Sequence, residues 1–237
     1  MSVAKGATAF YRSEHGLRSR SVSDVVLSGR VDVPEPPPRL VADWMREISV
    51  NLALEPGDVE VLPLARARMR WPDYDLCLQA ANDWTRALGL SDLLTDSPLA
   101  LMACRGARYH HDGAQYGSAA FCNLFLSEDQ DLDLHFPLSG QRIPLRRGLV
   151  VVFDTGQPHG VIARHRNRFD EADFPPERDC AQVFLTWELP IEAPALAQAL
   201  GISFDTEPSV LLEEPQIWHQ GVPGAVCPHS GRWLRAA

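Results

Sequence analysis

Two short stretches decide what chemistry this chain can do: Tyr109-His110-His111-Asp112-Gly113 and the later Asp154-Thr155-Gly156-Gln157-Pro158-His159-Gly160. His110, Asp112 and His159 have the composition of a facial ligand set. Two imidazoles and one carboxylate hold one side of an iron(II) ion and leave the other side open to a cosubstrate and dioxygen. On an extended strand, residues i and i+2 face the same way. His110 and Asp112 can therefore share a metal while His111 points away. His159 must then arrive on a later strand.

The elements that must position these residues are legible in outline. Residues 1–38 are largely polar and end in Pro36-Pro37-Pro38, which reads as a peripheral arm with one short strand around Asp24–Leu27. Leu40, Val41, Trp44, Met45, Ile48 and Leu52 recur near helical spacing over 39–52, and Cys77, Ala80, Ala81, Trp84 and Leu88 do so over 73–89. Two helices ahead of the metal motif suit a sheet that needs cover on its outer face. From about residue 99 short apolar runs alternate with turn residues: 100–104, 119–126, 132–136, 149–153, 161–163 and 181–187. The β-branched Leu149-Val150-Val151-Val152-Phe153, bounded by Gly148, is the strongest strand signal. The fold class is mainly β with flanking helices. One domain is expected over 1–237, with the arm and supporting helices in 1–98, the β core in 99–190 and a C-terminal extension in 191–237.

The rest of the chain narrows the partners. A net charge of −9 argues against a broad phosphate-binding surface, so no nucleic acid is expected. No apolar run is long enough to span a bilayer. The opening Met1–Phe10 lacks the apolar core of a secretory signal. Five cysteines without regular spacing read as reduced thiols, which points to the cytoplasm. Cys227-Pro228-His229 lacks a second pair at ligand spacing and reads as a free thiol in a tail rather than a zinc site. His135 and His165 have no partner pattern and read as surface residues.

With these residues in view, the chain resembles the 2-oxoglutarate-dependent, non-haem iron(II) oxygenases, in particular their prolyl-hydroxylase-like members. The likeness covers roughly residues 100–190. It rests on His110-x-Asp112, on Phe121-Cys122-Asn123-Leu124-Phe125 after it, and on Gly148 and the apolar strand leading to Pro158-His159. The resemblance implies a double-stranded β-helix, or jelly roll, packed against the N-terminal helices. It implies Fe(2+) on His110, Asp112 and His159, with 2-oxoglutarate and O2 as cosubstrates and hydroxylation of a small molecule or protein side chain as the outcome.

It also implies a basic residue for the far carboxylate of 2-oxoglutarate, near the start of the strand after His159. Arg164, Arg166, Arg168 and Arg178 compete for that place. Strand parity favours Arg178, with Cys180 and Gln182 on the same face and Cys180 standing where the family has a small hydroxyl residue. The price of that assignment is an inserted loop over 167–177. Tyr116 and Asn123 are further candidates for cosubstrate contact, and Asp154 for orienting His159. Two alternatives stand beside the oxygenase: a metal-binding, cupin-like enzyme that does not use 2-oxoglutarate, and an inactive jelly-roll binding module. The substrate and the oligomeric state are not legible in the sequence.

Overall fold

A computed structural model describes residues 6–14, 16–175, 177–207, 212 and 214–234. The first five residues, on which the reading of a missing secretory signal partly rests, lie outside the described residues. The chain runs β1 (Ala7–Ser13), β2 (Gly16–Ser21), β3 (Val26–Arg30), α1 (Pro38–Arg46), β4 (Val59–Leu62), α2 (Leu64–Arg70) and α3 (Tyr74–Ala87). It continues with β5 (Leu99–Cys104), β6 (Ala107–His110), α4 (Gly113–Tyr116), β7 (Ala119–Phe125), β8 (Leu132–Phe136), β9 (Gln141–Pro144) and β10 (Leu149–Asp154). The last elements are β11 (His159–Ala163), β12 (Gln182–Pro190), α5 (Pro194–Leu200), β13 (Gln216–His219) and β14 (Val222–Pro223).

Two antiparallel sheets face each other as a jelly roll. The larger has the order β3-β10-β7-β12-β5-β4, the smaller β6-β11-β8-β9. From β5 to β12 the chain crosses back and forth between the sheets, with β8 and β9 paired as a hairpin in the smaller one, as in a double-stranded β-helix. The outer face of the larger sheet buries Val150, Val152, Leu185 and Trp187 against Leu40, Trp44, Cys77 and Ala81 of the helices. The inner face turns Val151, Phe153, Phe125 and Phe184 toward Leu134 and Val161 of the smaller sheet. This is the period-two alternation of a sheet buried on both faces. It also explains why β10 reads as an unbroken apolar run.

The helices follow the sequence closely. The first is α-helical over Pro38–Arg46 and continues as one π turn over Glu47–Asn51, with Leu40, Trp44 and Ile48 buried. The arm departs from expectation. Besides β3, which overlaps the expected short strand and pairs with β10, it supplies β1 and β2, which join β13 and β14 in a third sheet of order β14-β13-β1-β2. The local sequence of β1 and β2 carries no clear alternation, and their partner strand comes from the far end of the chain, with Ala7 opposite His219.

That third sheet delivers Arg20 into the interior. Arg20 and Asp154 are both fully buried. Their guanidinium and carboxylate meet in two parallel hydrogen bonds of 2.6 and 2.8 Å, and Arg20 Nε donates to the Gly117 carbonyl at 2.9 Å. Asp154 also accepts from the backbone N–H groups of Ser23 and Gly156, each at 2.8 Å. Removing one partner leaves the other charge buried and uncompensated. Arg20→Met or Asp154→Leu alone is expected to cost about 3–5 kcal/mol, while the double variant recovers most of that loss. Urea unfolding of the three variants measures it; a double-variant loss equal to the sum of the two single losses would show that the pair is not coupled.

Candidate metal site

The triad is assembled from two neighbouring strands and the loop beyond one of them. β6 pairs antiparallel with β11, and His110 lies directly opposite His159. Cross-strand partners share a face, so both imidazoles project into the jelly roll, with ring centroids 4.5 Å apart. The register slips by one residue between His159 and Val161. This is a bulge of the kind that re-aims side chains beside functional sites.

Asp112 reaches the same point by a different route from the one strand parity suggests. β6 ends at His110, and Asp112 sits at φ −101°, ψ 3°, just before α4. Its amide donates to the Thr155 carbonyl at 2.8 Å, which ties the loop after β6 to the turn before His159. The Thr155 hydroxyl lies 2.7 and 2.8 Å from the carbonyls of Tyr116 and Ala119, at the two ends of the segment that follows. Gly113 packs against that same turn: a Cβ there would come within 3.0 Å of Gly156 Cα. The side chain of Asp112 makes no capping hydrogen bond to α4. It turns instead to the imidazoles.

The geometry suits an ion. Asp112 Oδ1 is 3.6 Å from His110 Nε2, and Asp112 Oδ2 is 3.6 Å from His159 Nε2. These distances are too long for hydrogen bonds. They leave room between the three side chains for one ion. One donor atom from each residue lies within 4.8 Å of the other two, the only such cluster among the described residues. Each imidazole also has its other nitrogen engaged: His110 Nδ1 with the Arg108 carbonyl at 2.6 Å, His159 Nδ1 with the Gln157 carbonyl at 2.9 Å. A carbonyl only accepts, so each Nδ1 carries the proton and each Nε2 presents a lone pair to the shared point. Burial, reinforced by His110, pushes the His159 imidazole down to about 4, so it is neutral at pH 7. Two imidazoles and one carboxylate, open on one side, are a donor set that suits iron(II).

The open side leads into a cavity of about 390 Å³ between the two sheets. Met102, Phe125, Leu134, Val161 and Phe184 line it with apolar surface. Asn123 and Thr186, Cα partners across β7 and β12, add two polar groups. Gln115, Tyr116, Phe121 and Glu188 complete the lining. Tyr116 and Asn123 thus stand where the sequence suggested. Burial and the nearby Glu188 carboxylate raise the Tyr116 phenol above its usual range, so it stays a donor at neutral pH.

Arg178 and Cys180 are the corrections. β12 begins only at Gln182, so the parity argument ran past the strand's end. Arg178 lies at the surface, donating to the Gln130 carbonyl at 2.9 Å, and lines an outer groove with Met45, Leu54 and Cys180. Cys180 is buried in the inner core, away from the triad's cavity. The other three arginines are also held outside. Arg164 binds Asp129 and Asp133, Arg166 binds Asp173, and Arg168 stands 3.8 Å from Asp170. No Lys or Arg is among the described residues that line the cavity. The triad therefore suits a metal ion, while no Lys or Arg among the described lining residues stands ready for the far carboxylate of 2-oxoglutarate.

Other readings resolve simply. His111 does turn away from the triad, with its ring 5.5 Å from Trp233. Asp154 serves the Arg20 pair and the Gly156 turn. His135 is half-buried against the Tyr109 hydroxyl rather than free at the surface. Trp218 packs on Phe10 and His219 stacks on Trp233, so neither lines the cavity. All five cysteines are free. Sequence reasoning missed Thr186 and Glu188. Continuing the parity of Gln182 along β12 would have found both.

No protein-family model and no curated protein matches the chain. Among solved structures, the viral collagen prolyl hydroxylase vCPH from Paramecium Bursaria Chlorella virus-1 is similar over 70% of this chain and 89% of its own, at 8% identity and a TM-score of 0.42. The non-heme alpha ketoglutarate dependent carbocyclase SnoK from nogalamycin biosynthesis is similar over 70% of this chain and 79% of its own, at 12% identity and a TM-score of 0.36. EvdO2 from Micromonospora carbonacea var. aurantiaca, complexed with 2-oxoglutarate, is similar over 69% of this chain and 86% of its own, at 13% identity and a TM-score of 0.38. With likenesses this distant, the jelly roll rests on the strand pairing itself.

Cobalt(II), a spectroscopic stand-in for iron(II), is expected to bind once per chain. His110→Ala, Asp112→Ala and His159→Ala should each weaken it by more than the roughly 10–100-fold that loss of an outer partner costs, and Thr155→Val by about 10-fold. Titration followed by visible absorption gives the affinities. Unchanged binding in any of the three ligand variants would remove that residue from the site.

Proposed function

We propose that this chain is a mononuclear non-haem iron(II) oxygenase that depends on a 2-oxo acid, the class typified by the 2-oxoglutarate-dependent hydroxylases, and that it hydroxylates a small molecule or side chain entering the cavity. The observation that carries this reading is the complete His110–Asp112–His159 set at the mouth of an apolar cavity inside a jelly roll. The resemblance of the sequence around these residues to the family supports it.

Each group has a task. His110 and His159 are locked by their carbonyl partners into the tautomer that ligates, and Asp112 supplies the single negative charge. Iron(II), when bound, supplies the activation of dioxygen. The aromatic and aliphatic walls keep bulk water from the reacting centre. Gln115, Tyr116 and Glu188 offer hydrogen bonds to a substrate; the Gln115 amide already donates to the Tyr116 hydroxyl at 3.2 Å.

One observation favours a second reading, an iron oxygenase that takes no 2-oxo acid: the cavity lining lacks the cation a dicarboxylate needs. Oxygen uptake separates the two. The iron-loaded chain is expected to consume dioxygen slowly in the presence of a 2-oxo acid and to release its decarboxylation product. Asp112→Ala should lose this activity by about 100-fold or more, a loss of the size seen when one electrostatic group is removed from a catalytic site. Uptake that is indifferent to every 2-oxo acid would favour the second reading. No uptake with any added compound, despite bound iron, would favour an inactive binding module.

A further inference from the structure

The charge of the cavity says which 2-oxo acid belongs there. This inference rests on the reading of the chain as a 2-oxo-acid-dependent oxygenase and concerns the tail of that acid. Behind the triad the lining carries one free carboxylate, Glu188, and no cation among the described residues. The arginines that follow His159 in sequence, and the buried Arg20, are committed elsewhere. Arg164 and Arg178 engage Asp129, Asp133 and the Gln130 carbonyl on the outside, and Arg20 is consumed by Asp154.

Asn123 and Thr186 are more than nine-tenths buried, at 7% and 8% exposure, and face each other across adjacent strands. Asn123 Oδ1 and Thr186 Oγ1 are buried and have no hydrogen-bond partner. Two neighbouring, unsatisfied polar atoms on the wall of an apolar cavity mark the place of a ligand's polar group. They are neutral groups. A carboxylate buried against them would lose its hydration without gaining an opposite charge. An uncharged tail, plain or carrying one hydroxyl or carbonyl, loses far less on entering.

We propose that this cavity selects a 2-oxo acid with an uncharged tail over 2-oxoglutarate, with Asn123 and Thr186 as the residues that read the tail. The selection is a property of the cavity walls, separate from the metal ligands.

The test is an anaerobic titration of the iron(II)-loaded full chain with 2-oxopentanoate and with 2-oxoglutarate, which share a five-carbon chain and differ in the second carboxylate. The visible charge-transfer band of the metal chelate reports binding without any turnover. Half-saturation is expected at a concentration roughly tenfold or more lower for 2-oxopentanoate. Thr186→Arg, which places a guanidinium in the cavity, should reverse the preference toward 2-oxoglutarate. Equal or tighter binding of 2-oxoglutarate by the unaltered chain would overturn the proposal. So would iron binding with no band from either acid. If Thr186→Arg fails to fold, the comparison on the unaltered chain decides. Failure to bind iron at all would instead remove the oxygenase reading beneath it.

Discussion

Everything at the metal site hangs on one buried ion pair. Arg20 and Asp154 have no exposure to solvent, and isolated charges in such a place would be untenable. Their desolvation is offset by the hydrogen bonds that both groups make. The guanidinium forks onto the carboxylate and reaches the Gly117 carbonyl, and the carboxylate takes two backbone N–H groups besides. The pair therefore welds three segments at one point. These are β2 of the third sheet, the turn that leads to His159, and the end of the short helix that follows Asp112. A metal site needs its ligands held to a fraction of an ångström, and here the third sheet adds a brace to the smaller sheet that carries both imidazoles.

The two sheets contribute something different. Their inner faces make a cavity whose apolar walls set its dielectric and whose wall carries the paired polar groups of Asn123 and Thr186. The same alternation that packs Val150 and Val152 against the helices turns Val151 and Phe153 inward. Stability and site are thus two sides of one strand. A substitution on the outer face acts on the helices, and one on the inner face acts on the cavity, although the residues are neighbours in sequence.

How much of this could be read from the sequence follows from the range of each interaction. His110, Asp112 and His159 were legible because residue type and strand context together specify a ligand set. β10 and β12 were legible because β-branched and aromatic residues concentrate there. The third sheet was not, because β1 has its partner near the other end of the chain and no local periodicity betrays it. Arg20 was hidden for the same reason: nothing around it distinguishes it from a surface arginine. Arg178 failed differently. Parity is a property of a strand, and Arg178 precedes the strand on which the argument was built. Asp112 shows the converse, since it reaches the imidazoles although the strand has ended at His110.

The closing of β1 against β13 also orders events in time. Loop closure over most of the chain is slow, because its entropy must be lost before the contacts that reward it exist. The strands of the jelly roll pair over shorter separations, so the barrel can condense while Arg20 is still remote. Arg20 meets Asp154 across 134 residues of sequence, so the brace on the turn to His159 is a contact whose closure entropy is among the larger costs of folding this site.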